Sequence, residues 1–346
     1  LAGDGFWDPA DDLGRDATRR DLARALRAIA PSARGGAAPL PVDVAAQDPS
    51  AAAISVAVGR RWMQAPGGAF SPDAPVTART AQTTVLRVLG LRPSLVGLAR
   101  IGTADGARLA TPAGFPAAVL ARELRLRHNY PAADEAFERP DAAPIRVADL
   151  VAMADRARSL DLFDRSRAAR FRSIRLPVMT DAQRTVVQAA FAQVGMPYVW
   201  GGDWPTAASP WGPQAQGGFD CSGLVWMAFK GDQRSTAAGM AIAVTGRTAD
   251  VMAFEAPRER VALSAVAPGD LVFFGDRGMR TARGDISHVG MALGGRWMVH
   301  SSGARAGVTI SSLATYSTSG QARARRPAPF GTPPQMTSAE RRGLRR

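Results

Sequence analysis

Cysteine, lysine and histidine are nearly missing from this chain of 346 residues. Its single cysteine, Cys221, excludes an intrachain disulfide and a cysteine-rich zinc site. No uncharged apolar run reaches the ~18 residues of a membrane span, so the sequence offers no transmembrane helix. Lys230 is the only lysine, and the other basic residues are arginines. With 43 basic against 30 acidic residues the net charge is +13. Such a charge favours polyanions, including acidic wall polymers and anionic lipid. The arginines are interspersed with acidic residues except at the C-terminus, and no aromatic–basic alternation accompanies them, so a nucleic-acid groove is not expected. Hydrophobic residues at 46% and charged residues at 21% exclude a mostly disordered chain. The length fits about two domains. The chain starts at Leu1 and shows no signal peptide, which reads as a leader removed or trimmed.

Two textures divide the chain. Residues 1–160 are rich in Ala, Arg and Asp and read as short helices between Pro/Gly turns. Residues 180–328 carry glycine-bounded strands and most of the tryptophans. Between them, 161–179 holds Arg165, Arg167, Arg170, Arg172 and Arg175 and reads as a basic linker. Residues 329–346 form a basic, Pro-rich tail, expected to fray.

The N-terminal region repeats weakly. Phe6-Trp7-Asp8-Pro9 precedes Ala17-Thr18-Arg19-Arg20-Asp21-Leu22; Phe70-Ser71-Pro72-Asp73 precedes Val76-Thr77-Ala78-Arg79; Phe137-Glu138-Arg139-Pro140-Asp141 precedes Pro144-Ile145-Arg146-Val147-Ala148-Asp149-Leu150. Each unit is an aromatic turn followed by a helix, and apolar helices around residues 51–58 and 117–126 precede the second and third turns. One such unit cannot bury its apolar face alone, so three would pack together. The pattern resembles S-layer homology repeats, whose second helix opens with a Thr-Arg-Ala-Glu-like motif. Thr18-Arg19-Arg20-Asp21 is the nearest match; the second unit has Thr77 and Arg79 displaced by one, and the third keeps Arg146 and Asp149. The resemblance implies binding to anionic cell-wall polymers. A plain helical domain without a ligand fits the same residues.

In the C-terminal region, Thr180-Asp181-Ala182-Gln183 is a capping box, followed by Val186, Val187, Ala190, Phe191 and Val194 at helical spacing and by Gly195 as a stop. The residues after Cys221 also read as a helix, with the cysteine at its N-terminus. There, unpaired amides and the helix dipole favour a thiolate. A nucleophilic thiolate needs a base, usually histidine. His128 reads as a solvated helix end. His288 and His300 lie on two strands joined at Gly294-Gly295. A hairpin with a three-residue loop would set them opposite each other, with Cβ atoms about 4.5–5.5 Å apart. One could then meet Cys221 while the other orients it. Gly290 and Ala292 on that face are small enough to admit a packed helix. A metal set of two histidines and a cysteine lacks an evident fourth ligand.

Five motifs follow in order: Tyr198-Val199-Trp200-Gly201-Gly202, Phe219-Asp220-Cys221-Ser222-Gly223-Leu224-Val225, Pro268-Gly269-Asp270-Leu271-Val272-Phe273-Phe274, His288-Val289-Gly290 and His300-Ser301-Ser302. Together they resemble the NlpC family of bacterial cell-wall cysteine peptidases. Arg247-Thr248 matches a pair commonly found between the cysteine helix and the strands. The departures are a long Pro-containing loop between Gly202 and Gly218 and an enlarged segment around 231–243.

The resemblance implies an α+β chain. A papain-like domain, its Cys-bearing helix packed on an antiparallel sheet, would follow a mostly α-helical three-repeat domain. It implies hydrolysis of peptidoglycan stem peptides, between γ-D-glutamyl and diaminopimelate or lysine. Carried over by motif, Cys221 is the nucleophile, His288 the base that holds it as a thiolate in an ion pair, and His300 the orienting residue. Tyr198 would lie beside the thiolate, and Asp220 and Ser222 would contact the stem peptide. No metal or organic cofactor is implied. The implied partners are peptidoglycan stem peptides and, through the repeats, anionic wall polymers; the implied location is secreted and wall-associated. A wall amidase or acyltransferase on the same fold, or a non-catalytic wall-binding protein, stays open.

Overall fold

The computed structural model describes residues 12–31, 36–127, 138–231, 240–316, 320–328 and 330. His128, the aromatic turns at Phe6 and Phe137 and nearly all of the 329–346 tail lie outside them. Two compact units emerge. One comprises the described residues of Leu1–Val96, Pro116–His128 and Arg139–Ala169; the other those of Gly97–Phe115, Asn129–Glu138 and Arg170–Arg346.

The first unit is helical: α1 (Arg19–Ile29), α2 (Ala51–Gly59), α3 (Ala78–Val88), most of α5 (Phe115–Glu123), α6 (Val147–Arg158) and α7 (Leu162–Ala169), with α4 (Arg92–Ala99) running across its boundary. Helices α1, α3 and α6 start alike, after the extended residues Thr18, Thr77 and Arg146. Asp21 reaches back to the Thr18 amide at 2.8 Å, and the Thr77 hydroxyl accepts the Thr80 amide at 3.2 Å, so orphan donors at both starts are satisfied. The residues just before these caps form a closed ring of backbone hydrogen bonds. Ala17 N–H donates to Ile145, Ile145 N–H to Val76, and Val76 N–H to Ala17, at 2.8, 2.8 and 2.9 Å.

Segment 161–179 is not an extended linker. It holds α7 and a 3₁₀ turn, Arg170–Ser173, and its apolar residues Phe171, Ile174, Leu176 and Met179 are buried. The Phe171 and Trp297 rings lie 4.6 Å apart between centroids. The arginines drew attention to charge, while the apolar residues between them decide the packing.

The second unit is α+β. Its main sheet has six antiparallel strands in the order β5-β10-β6-β7-β8-β9: β5 (Arg260–Val261), β6 (Leu271–Gly275), β7 (Ile286–Gly294), β8 (Trp297–Ser302), β9 (Gly307–Ser312) and β10 (Gln321–Arg325). Helices α8 (Asp181–Phe191) and α9 (Cys221–Lys230) pack together and on the central strands, and α10 (Ala249–Phe254) packs on β7. The α8 capping box forms as the sequence requires: Thr180 N–H donates to Gln183 Oε1 at 2.9 Å, and Gln183 N–H to Thr180 Oγ1 at 3.3 Å. The loop between Gly202 and Gly218 folds as two nested ribbons, β1 (Asp203–Trp204) paired with β4 (Gly218–Phe219) and β2 (Ala208–Ser209) with β3 (Gly212–Pro213).

The β7–β8 register differs from the expected one. Met291 pairs with Val299 and Ala292 with Met298, with a bulge before Gly294↔Trp297. Gly294, Gly295 and Arg296 all have positive φ, 75°, 56° and 74°, so the turn is a tight one centred on Gly295-Arg296, of the twist that suits a hairpin. His288 and His300 are therefore diagonal neighbours, not directly opposite. Imidazoles are long enough to meet across a diagonal. Gly290 matters to this: a Cβ there would stand 2.7 Å from Met298 Sδ and 3.3 Å from His300 Cβ.

Candidate active site

Cys221 is the first residue of α9, and Asp220 is its N-cap. The Asp220 carboxylate accepts the Gly223 amide (2.5 Å), the Ser222 hydroxyl (3.0 Å) and the Gly201 amide (3.1 Å). Arg247 completes its shell, donating to Oδ1 at 3.2 Å and Oδ2 at 3.3 Å. The same guanidinium donates to Ser222 Oγ (3.0 Å) and to the carbonyls of Gly201 (2.8 Å) and Gly202 (3.2 Å). Asp220 and Ser222, read from the sequence as substrate contacts, thus spend their polar atoms inside the protein. They lock the Tyr198–Gly202 loop to the start of α9. The two backbones come close enough that a Cβ on Gly223 would stand 1.9 Å from the Gly202 carbonyl oxygen. Tyr198 bridges to Phe219, beside this start, and its ring lies 3.6 Å from where a Cβ on Gly303 would be.

The two histidines do meet. His288 Nε2 lies 2.8 Å from His300 Nδ1, and His300 Nε2 lies 3.1 Å from Ser311 Oγ. Tyr316 packs edge-on to His300 at 4.7 Å and tilted against His288 at 5.6 Å, and Phe274 lies 5.6 Å from His288 and 5.4 Å from Tyr316. With Nε2 committed to His300, Nδ1 is the His288 nitrogen left to face a thiol. The backbone amide of Val289, the residue after His288, donates to the Cys221 sulfur.

Burial sets the charges. It pushes the Cys221 thiol up to about 11; the neighbouring Asp220 charge adds to this, and the amides of Val289, Ser222 and Cys221 oppose it. Burial brings His288 down to about 4 and lowers His300 too. Burial of both partners disfavours their charged forms and so opposes the thiolate–imidazolium pair that the resemblance implies, while the amides at the start of α9 favour it.

Sequence reasoning missed Arg247 as the hub of this region, and it missed Ser311 and Tyr316. Arg247 sat in a noted motif without a role; nothing in the spacing of Ser311 or Tyr316 pointed to the histidines. Among the described residues no cluster of His, Cys, Asp and Glu could hold a metal ion, and no described helix is long and apolar enough to cross a membrane.

Residues 195–326 match the NlpC/P60 family. The C-terminal part of the chain is an NlpC/P60 domain. Its Cys-bearing helix on an antiparallel sheet is the papain-like arrangement that the sequence motifs implied. The chain is 40% identical over 117 residues to a probable endopeptidase of Mycobacterium tuberculosis, covering 34% of this chain and 23% of that protein. It is 32% identical to the murein DD-endopeptidase MepH of Escherichia coli (39% and 45% covered). It is 35% identical to the gamma-DL-glutamyl hydrolase of Bacillus subtilis (37% and 25% covered). The matches span less than half of each relative.

The burial of His288 and Cys221 in the NlpC/P60 domain has consequences for pH. An unfolded imidazole takes up a proton near 6.5, whereas folded His288 resists to about 4. Below 6.5 the unfolded chain binds the extra proton, so the stability present at neutral pH is lost as pH falls from 6.5 towards 4, by about 3 kcal/mol from His288. Urea unfolding at pH 7, 5 and 4 reads this. The loss should be smaller in His288→Gln than in the wild type; equal losses would reject it. The raised thiol predicts slow iodoacetamide labelling of Cys221 at pH 6, with a rate that keeps rising above pH 9. A plateau below pH 8 would show a resting thiolate instead.

Proposed function

We propose that this chain is a cysteine-type peptidoglycan hydrolase that cuts stem peptides between γ-D-glutamyl and diaminopimelate or lysine. The observation that carries the reading is the His288–His300 pair on the strands against which α9 packs, the helix that starts at Cys221. The NlpC/P60 match supports the reaction class. The names of the relatives support more than one wall bond, which makes the bond itself the point to test.

The geometry performs the reaction as follows. A substrate carbonyl enters beside Cys221, and the thiol proton passes to His288 Nδ1 as sulfur attacks. His300 Nδ1 accepts the His288 Nε2–H and stabilises the imidazolium that forms. The amides of Cys221 and Ser222, at the start of α9 and close to the sulfur, are the donors for the developing oxyanion in this reading. The imidazolium then protonates the leaving amine, and water attacks the acyl-enzyme with His288 as base. No step calls for a metal or an organic cofactor.

The three linked starts of α1, α3 and α6 support reading the N-terminal unit as S-layer-homology-like repeats that hold a secreted enzyme on anionic wall polymers. Salt should then release the full chain from isolated walls; retention at high salt would reject a charge-based anchor. For the enzyme, the substrate is L-Ala-γ-D-Glu-diaminopimelate-D-Ala, with products read by mass spectrometry and Cys221→Ala as control. Cleavage after D-Glu by the wild type alone is expected. Loss of D-Ala alone would assign a different bond, and silence on this peptide and on whole sacculi would reject the hydrolase.

A further inference from the structure

We infer that Ser311 is a positioning residue that sets the tautomers of both active-site histidines and so decides whether His288 can act as a base. The inference rests on the proposed thiol chemistry and extends it to a residue outside every recognised motif.

His288, His300 and Ser311 form one hydrogen-bonded path, with His288 Nε2 at 2.8 Å from His300 Nδ1 and His300 Nε2 at 3.1 Å from Ser311 Oγ, and the proposed chemistry sets the Cys221 thiol at its His288 end. His300 and Ser311 are fully buried, so no solvent is there to satisfy a stray ring N–H. A neutral imidazole carries one N–H and one bare nitrogen. The path therefore has two self-consistent polarities. In the first, His288 Nε2–H donates to His300 Nδ1, and His300 Nε2–H donates to Ser311 Oγ. This leaves His288 Nδ1 bare, able to take the thiol proton. In the second, the Ser311 hydroxyl donates to His300 Nε2, His300 Nδ1–H donates to His288 Nε2, and His288 Nδ1 carries the proton. The site then presents an N–H to the sulfur and has no base.

The thiol end selects the first polarity. The sulfur already accepts the Val289 amide, so its own proton needs an acceptor, which a bare His288 Nδ1 provides. Ser311 closes the far end by accepting. In the reaction only one proton moves, from sulfur to His288 Nδ1; the bond to His300 stays in place and becomes charge-assisted. The Tyr316 ring against both imidazoles keeps each from turning over. A ring flip would exchange Nδ1 and Nε2 and break the path.

Removing the hydroxyl leaves His300 Nε2–H buried without an acceptor, and the Nδ1–H tautomer becomes the better one. The second polarity then spreads to His288. The chain has only three histidines, so ¹⁵N spectra of full-length protein labelled at histidine separate protonated from bare ring nitrogens for each. The wild type should show Nε2–H at both His288 and His300. Ser311→Ala should move both towards Nδ1–H and lower kcat by about 100-fold at unchanged KM. Ser311→Thr, which keeps the hydroxyl and suits a strand, should restore both readouts. Wild-type spectra with Nδ1–H at His288, or a Ser311→Ala protein that loses activity with its tautomers unchanged, would overturn the assignment. If the wild type cleaves no stem peptide, the hydrolase reading fails while the spectra still decide the tautomers.

Discussion

His288→Ala should lower kcat/KM on a stem peptide by about 1,000-fold at pH 7.5, because a thiol with a pKa near 11 is ionised in only about one molecule in three thousand there. The wild type has a different dependence. Its base is bare above about pH 5, since His288 resists protonation down to about 4, so its kcat/KM should be level from there to about pH 9. The variant has no base and reacts only through pre-formed thiolate, so its rate should climb about tenfold per pH unit from 7 to 10. The two curves converge at high pH. The pH dependence therefore separates loss of a base from loss of the fold, which would lower the variant at every pH. A variant within tenfold of the wild type at pH 7.5 would remove His288 from the reaction. A wild-type curve that rises with pH like the variant's would show that His288 takes no proton.

The burial around Cys221 and His288 shows where the sequence stops being readable. Local rules carried far. The α8 cap at Thr180, the start of α9 at Cys221 and the strands around His288 and His300 follow from capping chemistry, helical spacing and glycine punctuation, and all lie where they were expected. The hairpin register did not follow, because a tight turn and a bulge at Gly294–Arg296 differ from a three-residue loop by backbone angles that composition does not encode. Burial did not follow either. A helix N-terminus is legible, but the burial that opposes it comes in part from Phe274 and Tyr316, which the fold brings against His288. Asp220 is a different case. Aspartate immediately before a helix is a strong N-cap signal, so the assignment of its carboxylate to the α9 start was available from the sequence, and the motif's proximity to the nucleophile drew attention away from it.

Asp220 and Arg247 should give opposite results, although they form one pair. Arg247→Met leaves the Asp220 carboxylate without its cation and frees the carbonyls of Gly201 and Gly202. Both side chains are partly shielded from solvent, and hydrogen bonds to charged groups are the stronger kind, so a loss of about 2–3 kcal/mol is expected in urea unfolding. The uncompensated carboxylate also lies next to Cys221, where its charge already raises the thiol. Labelling of Cys221 at pH 8 should therefore slow. Asp220→Asn keeps a side chain that caps α9 well but removes the charge. The thiol should then ionise more readily and label faster, at a smaller loss of stability. If the pair acts as a unit, the double variant should be more stable than the sum of the single losses by at least ~1 kcal/mol, since removing Arg247 costs little once Asp220 is neutral. Additive losses, or labelling that slows in both single variants, would mean that Arg247 acts only through the Gly201–Gly202 loop. Its link to the electrostatics of the thiol would then be lost.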